Sequence, residues 1–199
     1  MRTLVPLTLS FVLFSSALFA QDTTWRTMSL PPAVAQLNRT AESAASAAAT
    51  VQLYGEALKM CPSNAPALYG LGRALLEQNR IPAALKSFRH LNRLFPDDPE
   101  VLTAMAATLA RWPNPRRAEI LEGVSLAERA TQLAPELPAA WHTLSVLHAA
   151  NGDIPAATHA ARKAIELQEN LPADSETLNI YIQQEQQCYE LLVLFSPLD

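Results

Sequence analysis

Proline recurs along this chain at a nearly constant spacing, and this constrains the fold more than any other sequence feature. Pro62, Pro96 and Pro135 each close a segment with apolar residues at helical spacing, and Glu169 ends a further segment of this kind. The interval from Pro62 to Pro96 equals that from Pro135 to Glu169, while the middle interval is longer by a five-residue insertion. A recurring period of about 34 residues predicts a stack of repeated structural units.

Composition predicts that these units are helical. Ala is abundant, whereas the chain contains only 5 Gly and as many as 15 Pro. Ala favours helices, and isolated prolines delimit them. No long segment alternates Val, Ile or Thr with polar residues, which would indicate strands. The expected fold class is therefore all-α.

The unit spanning 65–98 shows the internal pattern most clearly. One set of apolar or small residues is spaced to form one face of a first helix, and another set forms one face of a second helix. The first set is Leu68, Leu71, Gly72 and Leu75, and the second is Ala84, Phe88 and Leu91. The same spacing recurs in the last unit, at Trp141, Leu144, Ser145 and His148 and then at Ala157, Ala161 and Ala164.

This pattern resembles the tetratricopeptide repeat, in which each unit carries W-x2-L-G-x2-Y, then A-x3-F, then P. The resemblance implies a right-handed α-solenoid of stacked antiparallel helix hairpins, with Trp141, Leu71 and Phe88 wedged between helices. The expected units are 31–64, 65–98, 99–137 and 138–170, followed by a capping helix within 171–199. Residues 21–30 are expected to be a linker.

Local signals place the turns inside the units. Asn79-Arg80 and Gly152-Asp153 fall where a hairpin turn needs a residue that tolerates positive φ. In the third unit, Trp112–Pro115 should end the first helix, and the second should begin near Arg116. In the first unit, the Ala-rich stretch 44–49 crosses the expected turn, so that either a turn or a continuous helix is compatible with it.

The N-terminal segment has the sequence features of an export signal. A basic Met1-Arg2 start, an apolar stretch from Leu4 to Ala20 and a small residue before polar Gln21 are typical of a secretory signal peptide. Cleavage is expected after Ala20, or else after Ala17, and the mature chain would be periplasmic or secreted. The alternative is an uncleaved membrane anchor, although the apolar stretch is near the lower length limit for a span.

Sequence motifs for catalysis, cofactors or metals are absent. The four histidines form no HxxxH or HExxH pair, and no phosphate-binding glycine loop or GxSxG occurs. Cys61 and Cys188 could form a disulfide or remain two buried thiols. A formal net charge of −4 disfavours nucleic acid as a partner. We therefore expect neither an enzyme nor a cofactor-binding protein.

By resemblance to the family, first-helix positions 2, 5, 9, 12 and 13 of each unit line a concave groove. Tyr and Arg are frequent anchors of protein interfaces. The side chains most suited to hold a partner there are Arg39, Tyr69, Arg73, Glu77, Arg111 and His142. The alternative for this inner face is that it is solvated without a partner, or that it is covered by the chain's own cap.

Three functional hypotheses follow. The first is an extracytoplasmic scaffold or adaptor that binds a protein segment in the groove. The second is a structural subunit of an envelope assembly, which would use the convex face or the apolar run 191–195. The third, more distant, is an exported hydrolase, which would need a deep pocket that holds a His with a carboxylate or Ser. The Lys and Asn clamp of chaperone-binding relatives is missing, because Tyr69 and Arg73 occupy its first two positions.

Overall fold

The computed structural model describes residues 25–170 and 175–195, so the predicted signal segment 1–20 lies outside the described residues. A short 3₁₀ turn, Trp25–Thr27, precedes the α-helices of this part of the chain. These are α1 Pro32–Glu42, α2 Ala47–Met60, α3 Ala65–Glu77, α4 Ile81–Leu94, α5 Pro99–Ala110, α6 Arg117–Leu133, α7 Pro138–Asn151, α8 Ile154–Glu169 and α9 Ser175–Phe195.

The helices pack in the order in which they occur along the chain. Each helix packs against the next, and α5 and α7, the first helices of their hairpins, also pack together. Helix α9 packs against α8 and α7, where the first helix of a further repeat would lie. Because the closest contacts join near neighbours in sequence, the molecule is a solenoid. Within the described residues, four hairpins followed by a C-terminal helix confirm the predicted all-α fold class and the number of repeats.

The polar residues and prolines between segments start the helices. Side-chain oxygens of Ser46, Asn64, Asp98 and Asp153 accept hydrogen bonds from backbone N–H groups in the first turns of α2, α3, α5 and α8. These N–H groups have no partner within the helix, so each cap satisfies a donor that would otherwise be lost. Prolines occupy the first or second position of six of the helices, where their missing N–H costs nothing.

The turns within the hairpins follow the sequence signals. Asn79 and Gly152 have φ angles of 55° and 85°, in the left-handed region that reverses the chain after a helix. In the third hairpin, Trp112–Pro115 separates α5 from α6, and Arg116 immediately precedes α6. In the first hairpin, α1 ends at Glu42 and α2 begins at Ala47, so the Ala-rich stretch contains a turn.

The packing of the second hairpin depends on the ring of Phe88, which lies directly against the backbone of Gly72. Phe88 on α4 is fully buried, and a Cβ added to Gly72 on α3 would lie 2.5 Å from its ring. Leu71 and Trp141 are partly buried and pack against core clusters, so none of the three predicted wedge residues faces solvent. The Trp141 indole donates a 2.8 Å hydrogen bond to the Pro135 carbonyl, which ties α7 to the preceding turn.

The C-terminal helix covers the last hairpin with one face. Tyr181 and Cys188 are buried on this face, whereas Ile182 and Tyr189 are exposed on the opposite one. Both cysteines are free in this structure, and Cys188 lies beside Ser145, with 3.9 Å between Sγ and Oγ. Among the described helices, none has the length and apolarity that a membrane span requires.

Two glycine substitutions should have opposite effects on stability. Gly55 lies within α2 with nothing near the position of a Cβ, so Gly55→Ala should raise the free energy of unfolding by about 0.5–1 kcal/mol through helix propensity. Gly72→Ala adds the same methyl group, but here the group collides with Phe88. This substitution should lower the free energy of unfolding by about 1–3 kcal/mol. Urea unfolding measures both values, and equal stabilisation by the two substitutions would contradict the close packing at Gly72.

Candidate binding groove

The first helices of three successive hairpins surround an open cavity of about 410 Å³. We call this cavity the concave groove. It is lined by Tyr69, Arg73 and Leu76 from α3, by Glu100, Thr103 and Ala107 from α5, and by Ala139, His142 and Thr143 from α7. Small residues such as Ala107 and Ala139 leave open space in it, while Arg73, Glu100 and His142 add larger polar side chains. Such a surface suits an extended or helical segment.

Tyr69 is the aromatic centre of the concave groove. Its ring packs edge-on against Phe88 with 5.7 Å between centroids, so its position depends on the hairpin core. Burial, and secondarily the Glu100 carboxylate, raises the pKa of the Tyr69 phenol. The hydroxyl therefore stays protonated at neutral pH and can donate a hydrogen bond.

His142 lies at the far wall of the groove, against the C-terminal helix. Its ring stacks on Tyr181 of α9 with a centroid distance of 4.6 Å. Its Nδ1 is buried without a hydrogen-bond partner. Burial lowers the pKa of His142, so the imidazole is neutral at pH 7.

Arg73 connects the concave groove to further open space towards the N-terminal end. It also lines a cavity of about 360 Å³ together with Glu77, Glu42 and Tyr54. Burial raises the pKa of the Tyr54 phenol, which lies beneath this cavity against the backbone of α3. Arg73 lines a third cavity as well, so its guanidinium lies at the centre of the inner face.

The structure thus brings together some of the residues selected from the sequence. Tyr69, Arg73 and His142 line the concave groove, and Glu77 lies at the neighbouring cavity. Arg39 instead donates to Gln36 on its own helix and lines none of these cavities. Arg111, at the C-terminal end of α5, is exposed and lies outside them as well. A partner-binding role for all six residues remains a prediction.

The inner face also carries residues from the segment before α1, which were not selected from the sequence. Trp25 and Arg26 fall in the stretch 21–30 that was read as a linker, yet they lie on Tyr69 and at the edge of the groove. Their only sequence signal is a Trp beside an Arg in an otherwise polar stretch. Because no helical periodicity surrounds this pair, the sequence pattern does not predict which surface the two side chains contact.

In the described residues, Nδ1 of His142 forms no hydrogen bond with a carboxylate or a hydroxyl group. A hydrolase would need His142 or a similar residue hydrogen-bonded to a carboxylate or a Ser. The Nδ1 atoms of His142 and His148 both lack hydrogen-bond partners. Within the described residues, no three His, Cys, Asp or Glu side chains come together in a way that could hold a metal ion.

Comparison with known proteins agrees with this architecture. A family model of the tetratricopeptide repeat matches residues 40–108, which span the second helix of the first hairpin, the whole second hairpin and much of α5. The remaining hairpins continue the same packing, so the described part of the chain has the fold of a tetratricopeptide-repeat array. No curated protein sequence matches the chain.

Solved structures share the fold at low sequence identity. The TPR protein TTC0263 of Thermus thermophilus is 17% identical, with a TM-score of 0.64 over 80% of this chain and 81% of its own. MamA from Desulfovibrio magneticus RS-1 is 13% identical, with a TM-score of 0.62 over 85% and 100% of the two chains. The TPR2B domain of yeast Sti1, in its pHsp70 complex, is 16% identical, with a TM-score of 0.56 over 64% and 97%.

His142 should make the fold less stable in acid. Because its folded-state pKa lies below the ordinary value of 6.5, the unfolded chain takes up a proton that the folded chain does not. This contribution to stability is complete above pH 6.5 and is lost as the pH falls towards the folded-state pKa. His142→Phe should therefore shrink the fall in melting temperature between about pH 7.5 and pH 5.5.

His90→Phe on α4 is the matched control, because it removes a histidine that lines none of the cavities described above. An equal fall in the wild-type chain and in His142→Phe would contradict the burial of a neutral imidazole at the groove wall.

Proposed function

We propose that this chain is an exported adaptor that holds a segment of another protein in the concave groove. One observation carries the proposal: a cavity of about 410 Å³ is walled by side chains from three successive hairpins. Its volume, and a lining of apolar residues with a few polar groups, are typical of binding sites. The tetratricopeptide fold is that of a protein-interaction scaffold, and curved repeat arrays bind partners on their concave surface.

The chemistry of the groove favours a protein segment over other ligands. Arg73 and Glu100 offer opposite charges on neighbouring hairpins, and Tyr69 and His142 add flat surfaces that suit side chains of a peptide. With 15 Lys and Arg against 19 Asp and Glu, the chain has no basic excess for a phosphate backbone. The Sti1 TPR2B domain, which shares the fold, offers a precedent for a protein ligand.

Export is proposed from the N-terminal sequence. The basic start, the apolar stretch to Ala20 and the small residues at its end support cleavage and release outside the cytoplasm. The partner is then another extracytoplasmic protein.

A structural role in an envelope assembly is the second candidate. The outer face of α9 exposes Ile180, Ile182 and Tyr189, with 49%, 41% and 54% of their surfaces accessible. Exposed apolar side chains on the terminal helix of a repeat array favour contact with another protein. This candidate differs from the first in the surface that it uses, and substitutions can separate the two.

Charge reversal in the groove should release the partner. The tagged chain is used to retain proteins from an envelope extract of its native host, and the retained protein is identified by mass spectrometry. Arg73→Glu should weaken its binding by about tenfold or more, because Arg73 is central to the inner face. Arg93→Glu is the matched control, since Arg93 is an exposed residue on the second helix of the same hairpin.

The same measurement distinguishes the two candidates. If Arg73→Glu and Arg93→Glu retain the partner equally, the groove proposal is wrong. If binding is instead lost in Ile182→Glu with Tyr189→Glu, the terminal-helix role replaces it.

Export predicts a defined N-terminus for the mature protein. When the full chain is produced in its native host with a C-terminal tag, N-terminal sequencing should begin at Gln21, or at Leu18 if cleavage follows Ala17. Ala20→Arg should impair cleavage after Ala20, because a large charged side chain does not suit the small-residue site. Recovery of an intact N-terminus at Met1 from the wild-type chain would exclude cleavage.

A further inference from the structure

The 3₁₀ turn Trp25–Thr27 lies on the inner face of the solenoid. The Trp25 ring stacks on Tyr69 with 4.7 Å between centroids and 30° between planes, and only 4% of the residue is exposed. The next residue, Arg26, forms an ion pair with Glu100 on α5 and lies 4.4 Å above the Trp25 ring. An aromatic residue and a basic residue of this chain therefore bind side by side to α3 and α5.

This contact divides the inner face into two open parts. Arg26, Tyr69 and Arg73 line the concave groove and also the third cavity named above, which has a volume of about 470 Å³ and is lined by Trp25 and Pro66 as well. Residues 25–27 thus occupy the middle of the surface that a partner segment would follow. The helices beneath them leave space, since α3 and α5 pack less closely than α5 and α7.

The fit of this segment to its position is incomplete. The Trp25 indole N–H is buried without a hydrogen-bond partner, whereas buried Trp side chains usually find one. The Arg26–Glu100 pair is partly open to water, with 51% and 34% of the two side chains exposed, so it contributes little. Burial of the Trp25 ring, which packs in the same core cluster as Leu68 and stacks on Tyr69, therefore supplies most of the attachment. A partner must replace that burial with a ring of its own.

We propose that residues 25–27 are an internal ligand of the groove and that the partner binds by displacing them. The chemistry of the position then defines the partner: a segment with an aromatic residue followed by Arg or Lys, the ring on Tyr69 and the cation at Glu100. This inference rests on the proposed function and specifies its ligand.

The tether makes the internal ligand a strong competitor. Only residues 28–31 separate the turn from α1, and the backbone N–H of Ala65 bonds to the Met28 sulfur at 3.3 Å. A short tether gives a segment an effective concentration in the millimolar range at its own site. An outside segment of the same chemistry therefore binds weakly until the internal one is removed.

A synthetic peptide of residues 23–28, TTWRTM, labelled with a dye, tests this on the full chain. Fluorescence anisotropy should show that Trp25→Ala binds the peptide about tenfold or more tightly than the wild-type chain does. A control peptide with Ala in place of Trp should not bind. A peptide with Glu in place of Arg should bind poorly to Trp25→Ala, and adding Glu100→Arg should restore its binding.

Circular dichroism and thermal melting confirm that each variant is folded. If Trp25→Ala fails to fold, Arg26→Glu serves in its place, because the new carboxylate is repelled by that of Glu100 and so destabilises the internal contact. Failure of both variants to fold would make residues 25–27 an integral part of the core and overturn the proposal. Absence of peptide binding to a folded variant at millimolar concentration would overturn it too, and so would equal binding by the variant and the wild-type chain.

Two further outcomes are informative. A wild-type dimer that becomes monomeric in Trp25→Ala would mean that the segment binds a second copy, and the intramolecular assignment would be wrong. If the peptide fails to bind but Arg73→Glu still releases the partner, only this inference falls. If the peptide binds while partner retention is independent of Arg73, the proposed function falls instead.

Discussion

The structure depends on the close approach of consecutive helices. At these contacts a side chain of one helix lies directly against a glycine of the other. In the second hairpin this is the contact of Phe88 with Gly72. In the third, Gly123 lies against Leu109 on the preceding helix and Leu147 on the next hairpin. Small residues at these positions are what allow consecutive helices to pack at short distance. Each hairpin then presents its first helix to the same side as its neighbours.

The concave groove is a consequence of this stacking, since it is lined by residues from the first helices of three successive hairpins. Thr103, Ala107 and Ala139 leave space, while Tyr69 is held in position by the ring of Phe88 beneath it. The core thus reaches the concave groove through Phe88 and Tyr69. This explains why the contact of buried Trp25 with the inner face forms at Tyr69.

Segments before the first hairpin and after the last one both return to the inner face. Residues 25–27 cover Tyr69, and Tyr181 of the C-terminal helix covers His142. A repeat array has open ends, and terminal segments that shield apolar surface are the usual solution. Here the shielding rings lie on Tyr69 and His142, which the sequence indicates as partner contacts, so that self-contact and the proposed partner binding would share one surface.

Much of the fold could be predicted from the sequence because its contacts are local. The hairpins, the turn at Asn79 and the start of α6 after Arg116 depend on residues within one repeat unit. The repeat register also predicted that Tyr69 and His142 share a face, and both line one cavity in the structure. The exclusion of Arg39 and Arg111 from the cavities was not predictable, because side-chain direction at helix ends depends on the neighbouring hairpin.

The sequence by itself determined the helices, their pairing and the face that each buries, because apolar spacing and capping residues act over a few turns. Only the tertiary structure decided what occupies the inner face. Trp25 lies far from Tyr69 in sequence and belongs to no periodic segment, so its stacking follows from the shape that the stacked hairpins make together. The same holds for the stacking of His142 on Tyr181, which requires the last helix to dock on the array.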